Sequence, residues 1–131
     1  MAHKSRLAAL VIDCRCDDLS EHVAFWSQAL GYEPVYFDEE PDYVGLGVPG
    51  DEVTVILQRV DHDSRVHLDI ETDDQEAEVK RLEELGAKRV AAIKRWVVME
   101  APSGHRFCVV NPQRREFEAN ANHWRDEGEG A

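Results

Sequence analysis

Apolar and polar residues alternate or recur along most of the chain at readable periods. "LAALVIDC" (7–14) and "EVTVILQRV" (52–60) are strand-like, and "RVHLDIE" (65–71) alternates strictly. In that last run Val66, Leu68 and Ile70 form one set, expected to face a core. His67 and Asp69 form the other. "DDLSEHVAFWSQALG" (17–31) places Leu19, Val23, Phe25, Trp26 and Leu30 at helical spacing, with Asp17 or Asp18 as N-cap and Gly31 just past the end. "TDDQEAEVKRLEELGA" (72–87) is a second amphipathic helix with Val79, Leu82 and Leu85 on one stripe. "YEPVYF", "PDYVGLG", "KRVAAI", "RWVVMEA" and "HRFCVVN" read as further short strands, with a Pro102-Ser103-Gly104 turn before the last.

The predicted order is β-α-β-β-β, twice. Residue identities support an internal repeat: "VIDCRCDD" (11–18) lies over "HLDIETDD" (67–74) at an offset of 56 residues. Asp13 then matches Asp69, and Val11 matches His67. The fold class is therefore α+β: two tandem βαβββ modules, about 7–60 and 65–112, within a single domain of residues 1–131. Residues 113–131 are charged, acidic and poor in apolar side chains. They read as a mobile tail, with Phe117 and Trp124 as the exceptions that dock.

Charge and composition narrow the function. The formal net charge is −12, the wrong sign for a nucleic-acid backbone. It is compatible with a neutral or cationic ligand, and equally with plain solubility. No apolar run is long enough to span a membrane, and the start lacks the apolar core of a signal peptide, so a cytoplasmic protein is expected. Cys14, Cys16 and Cys108 are odd in number and lack framework spacing, which argues for free thiols. "GLGVPG" (45–50) matches a dinucleotide-binding glycine pattern literally. A strand rather than a helix follows it, and a pyrophosphate site needs the helix.

The paired units, with "FWSQALGY" after the first helix, "EAEVKRLEELGA" in the second, "VHLDI", a Trp-bearing strand and a P-x-G-x-x-F turn, resemble the vicinal oxygen chelate superfamily. That group holds the glyoxalases, bleomycin-resistance proteins and extradiol dioxygenases. The likeness covers about residues 7–112 and is greatest to glyoxalase-like domain proteins. It implies two modules curling into a cup with helices outside. In metal-dependent members the cup holds a divalent ion on His, Gln and Glu side chains from the first and last strands of each module, and the ion acts as a Lewis acid.

Carried over residue by residue, the resemblance puts His67 at one ligand position and Val11 at its repeat partner. Cys108 stands where a glutamate is usual. Thr54, or Ile56 in a shifted register, stands at the fourth position, with Gln58 further along. No metal and no cofactor are expected from this set. Three roles remain open to His67: a polar wall residue bonded to Asp69 or to a ligand, a metal ligand, or a structural histidine. The expected ligand-contact residues are His67, Asp69, Trp96, Cys108, Gln58 and Tyr43, the two aromatics by stacking. Catalytic residues are not identifiable. The expected function is small-molecule binding, in the manner of drug-sequestering members of the group. The alternative is a lyase, isomerase or dioxygenase using His67, and a pure interaction module is a third reading. A homodimer is expected, with no nucleic-acid or membrane partner.

Overall fold

The computed structural model describes residues 2–125. Its elements run β1 (His3–Arg15), α1 (Ser20–Leu30), β2 (Pro34–Tyr36), β3 (Tyr43–Leu46), β4 (Thr54–Val60), β5 (Arg65–Thr72), α2 (Gln75–Glu84), β6 (Lys88–Ile93), β7 (Trp96–Glu100), β8 (Arg106–Val110), α3 (Phe117–Asn120) and β9 (Asn122–Trp124). The β-α-β-β-β order occurs twice, as the apolar pattern predicts, and the class is mixed α+β. The run after Gly47 enters β4 and not a helix, so the glycine pattern has no anion-binding helix end. No helix among the described residues is long and apolar enough to cross a membrane.

The chain divides into two compact units: residues 9–67, here the N-terminal unit, and residues 2–8 with 68–125, the C-terminal unit. The division falls inside β1 and β5. Within the N-terminal unit β1 pairs parallel to β4, β4 antiparallel to β3, and β3 antiparallel to β2. Within the C-terminal unit β5 pairs parallel to β8, β8 antiparallel to β7, and β7 antiparallel to β6. The two pairing plans are the same.

Each helix covers one face of its own sheet. α1 places Leu19 and Val23 against Cys14, Val44, Leu46 and Leu57, with Trp26 and Ile12 at the margin. The N-cap position is Leu19, not the expected Asp17 or Asp18. Asp18, two residues before the start, bonds the first helical residue. Its Oδ1 accepts from the Ser20 amide at 2.9 Å and from the Ser20 hydroxyl at 2.7 Å, meeting amide groups that have no partner inside the helix. Gly31 ends it at φ 77°, a left-handed conformation that favours glycine. α2 packs Val79 and Leu82 against Val97, Met99 and Val109. Asp74 caps it through the Ala77 amide at 3.1 Å.

Three apolar expectations are corrected. Val66 and Leu68 are 59% and 43% exposed, while Asp69 and Glu71 on the alternate face are buried. Leu85 is 67% exposed, and Phe25 is 61% exposed with its ring edge-on to Trp26. Ile70, the third residue of the apolar set, does pack against the core beneath α2, so that face of β5 is covered toward its end and open at Val66 and Leu68.

The tail expectation also changes. Residues 113–125 fold back as α3 and β9. Strand β9 pairs antiparallel with the start of β1, His3 opposite Trp124. Phe117 is buried, and the Trp124 indole N–H donates to Ser5 Oγ at 2.7 Å, so both docking aromatics behave as expected. Buried polar groups hold the rest. Glu71, with no exposed surface, accepts from the amides of Gln113 and Arg114 at 2.6 and 2.9 Å and from Arg6 Nε at 2.6 Å. Arg6 also donates to the Arg115 carbonyl, and Arg114 to the Leu7 carbonyl, each at 2.6 Å. A charged, apolar-poor sequence can thus be ordered when its backbone satisfies a buried carboxylate. Residues 126–131 lie outside the described residues.

Candidate functional site

Residues directly paired across neighbouring strands point to the same side of a sheet. In the N-terminal unit Asp13 pairs with Gln58, and Gln58 with Tyr43. The three form a row on the face opposite α1. Gln58 Nε2 donates to the Tyr43 hydroxyl at 2.9 Å.

Asp13 anchors the row. Its side chain is 2% exposed, and its Oδ2 accepts from His67 Nδ1 at 2.8 Å, while His67 keeps 12% exposure. An ionised carboxylate is acceptor-only, so Nδ1 carries the proton in this contact. Arg65 Nε lies 3.7 Å from the same oxygen. Asp13 Oδ1 is buried with no hydrogen-bond partner among the described residues. A buried carboxylate beside two basic side chains is an electrostatically ordered arrangement. It fixes the ring plane of His67 and the tautomer that this bond requires.

In the C-terminal unit the same register recurs. Asp69 pairs with Cys108, and Cys108 with Val98; Trp96 stands two residues from Val98, on the same face. Asp69 is 8% exposed, and Cys108 and Trp96 are half-buried. The pairing settles one alignment. Gln58 stands opposite Asp13 as Cys108 stands opposite Asp69, so Gln58, and not Thr54 or Ile56, is the repeat partner of Cys108.

Of the positions the resemblance points to for a metal, the N-terminal unit holds Val11, Gln58 and His67. Valine has no lone pair. The Gln58 amide is bonded to Tyr43 and His67 Nδ1 to Asp13. These three do not fit a divalent cation held in the manner the resemblance implies. Cys108 stands in the C-terminal unit. Cys14 is unsuited to thiolate chemistry. Burial pushes its thiol up, and the neighbouring Cys16 and Asp13 add to the effect. Ser103 Oγ and His105 Nδ1 are 2.7 Å apart but sit in the exposed turn before β8.

Sequence reasoning singled out His67 and weighed Asp69 as its partner, but missed Asp13 as the carboxylate on Nδ1. The available signal was the repeat: Asp13 matches Asp69 and shares a face with Val11, the match of His67.

This fold is that of the glyoxalase/bleomycin resistance/dioxygenase, or vicinal oxygen chelate, superfamily. The glyoxalase-like domain family matches residues 9–110, and the chain belongs to it. Among solved structures it is similar to methylmalonyl-CoA epimerase from Mycobacterium tuberculosis: TM-score 0.60, 17% identity, covering 82% of this chain and 87% of that one. It is similar also to the Mn(II)-bound glyoxalase from Novosphingobium aromaticivorans: TM-score 0.59, 19% identity, 86% of this chain but 43% of that one. A third is a glyoxalase/bleomycin resistance protein/dioxygenase superfamily member from Vibrio splendidus 12B01: TM-score 0.55, 22% identity, 80% and 98% covered. No curated protein sequence matches at a significant level. Likeness at these identities establishes the fold and leaves the activity open.

Proposed function

We propose that the protein binds and sequesters a small organic molecule, in the manner of drug-resistance members of its superfamily, without a resident metal. One observation carries this reading: the 2.8 Å bond between buried Asp13 and partly open His67. It commits the imidazole to a fixed orientation through a carboxylate, which suits a polar contact to a ligand. The residues proposed to contact ligand are His67, Gln58 and Tyr43 in the N-terminal unit and Asp69, Cys108 and Trp96 in the C-terminal unit. A homodimer accompanies this reading. Its support is the resemblance to a superfamily whose members usually pair.

The competing reading is a lyase, isomerase or dioxygenase using His67. Its support is the partly open, oriented imidazole of His67 in the N-terminal unit and, within the C-terminal unit, a carboxylate and a thiol paired across strands, Asp69 opposite Cys108. A thermal-shift screen of drug-sized compounds, with elemental analysis of the same sample, separates the two. The binding reading expects stabilisation by at least one compound, lost in His67→Ala, in metal-free protein. A stoichiometric metal lost in His67→Ala would instead support the enzyme.

A further inference from the structure

We infer that the N-terminal unit carries a second ligand site, on the α1 side of its sheet, which takes a flat organic cation. Asp13 and Gln58 belong to the opposite face; Tyr43, whose hydroxyl bonds to Gln58 there, also borders the groove. Tyr36, by contrast, pairs with Val44, and Val44 packs in the core beneath α1. Between the start of α1, the segment 36–44 and the end of β4 runs a groove of about 720 Å³. That volume lies in the range of small-molecule pockets.

The floor of the groove is apolar, made by Leu19, Val23 and Val44, all buried. One ring forms a wall: Tyr36, paired with Val44, is 69% exposed. A ring left this open offers a face on which a planar body can stack. Phe37 borders the groove, but its ring packs over Gly45 on the other face of the sheet.

Charge selects the sign of the ligand. Asp17, Asp18 and Asp42 line the groove against one cation, Arg59. Arg59 and Asp42 neutralise each other, with Nε and a terminal nitrogen each 2.8 Å from Asp42 Oδ1, which leaves Asp17 and Asp18 as the net charge of the lining. The hydrogen bonds from the Ser20 amide and hydroxyl hold Asp18 below the usual carboxylate range, so it stays charged near neutrality. The adjoining loop adds Asp38, Glu39 and Glu40 and no basic residue. A cation seated on Tyr36 gains from the ring face and from this field together; an anion loses on both counts.

The test uses the full-length protein and two tricyclic probes of similar shape, the cation proflavine and the anion anthracene-9-carboxylate, followed by fluorescence. Proflavine is expected to bind with Kd below about 1 mM, and the anion at least about tenfold more weakly. Tyr36→Ala and Asp17→Asn are each expected to weaken proflavine about threefold, the size of one exposed cation–π or charge contact. His67→Ala should leave its affinity unchanged, which keeps this site separable from any ligand bound on the other face. Amide shift changes in the wild-type protein should cluster at residues 17–20 and 36–44, a readout that does not depend on a variant folding. Equal affinity for both probes, no binding, or shifts centred on His67 would overturn the proposal.

Discussion

The two units share one strand-pairing plan and differ in what they bury. Both keep an aspartate at the equivalent position, Asp13 opposite Gln58 and Asp69 opposite Cys108. The C-terminal unit adds a closed polar network. Glu71 is matched by Arg6 and two backbone amides. Glu78, also fully buried, takes His3 Nε2 at 2.7 Å and both guanidinium arms of Arg81 at 2.9 and 2.8 Å. Arg81 in turn lies 3.9 Å from the Trp124 ring centroid. The N-terminal unit has one buried carboxylate, Asp13, bonded to a histidine that stays partly open, and a groove with an exposed ring. Identical backbone plans thus support a polar clasp in one unit and accessible chemistry in the other. The difference lies in side chains, not in topology.

The largest effect is expected at the clasp. Glu71→Ala strands Arg6 and two amides and should cost about 3 kcal/mol in denaturant unfolding, the usual size for breaking a buried charged pair. Asp13→Ala should cost less, about 1–2 kcal/mol, because Arg65 is half exposed and His67 keeps some access to solvent. If the two losses were equal, the contrast between the units would fail.

Glu78 gives the comparison a pH axis. Burial pushes its carboxyl up, but hydrogen bonds from Arg81 and His3 and the Arg81 charge outweigh this and leave it below the ordinary range. A carboxyl depressed in the folded state stabilises the protein above its unfolded pKa of about 4.3. That contribution is lost as pH falls through the folded value. Wild type should therefore lose stability in acid below about pH 4 more steeply than Glu78→Gln, as followed by circular dichroism; parallel acid curves would show that Glu78 is not coupled to folding. Smaller still, Trp124→Ala should lower stability by about 1–2 kcal/mol by removing the indole's contacts with Ser5 and Arg81. Phe25→Ser on the exposed face of α1 should stay within about 0.5 kcal/mol of wild type.

Much of the fold was legible because periodicity reports backbone class directly. The twofold element order, both long helices and the left-handed end at Gly31 follow from local pattern. Strands β5 and β9 mark its limits. Val66 and Leu68 alternate as core residues do, yet both are open and only Ile70 of their set meets the core, while Glu71 on the other face is buried, since it finds Arg6 and two amides to satisfy it. Strand β9 forms from "NHW" (122–124) because Ser5 and Arg81 receive its tryptophan, and those partners are far away in sequence. At the candidate site His67 was legible as the one metal-competent nitrogen on an alternating strand. Its bond to Asp13 was not, because two equivalent aspartates share that face and only strand register shows one of them bonded. Register also replaced Thr54 or Ile56 with Gln58 as the partner of Cys108.

The central claim is that His67 is held by Asp13 for contact with an organic ligand and is not one ligand of a resident metal. Elemental analysis of protein purified without added ions, beside His67→Ala, tests it most directly. The account expects far less than one divalent ion per chain in both, because Val11 has no lone pair and the Gln58 amide and His67 Nδ1 are already bonded, to Tyr43 and Asp13. About one zinc, nickel, manganese or iron per chain in the wild type, absent from His67→Ala, would contradict it.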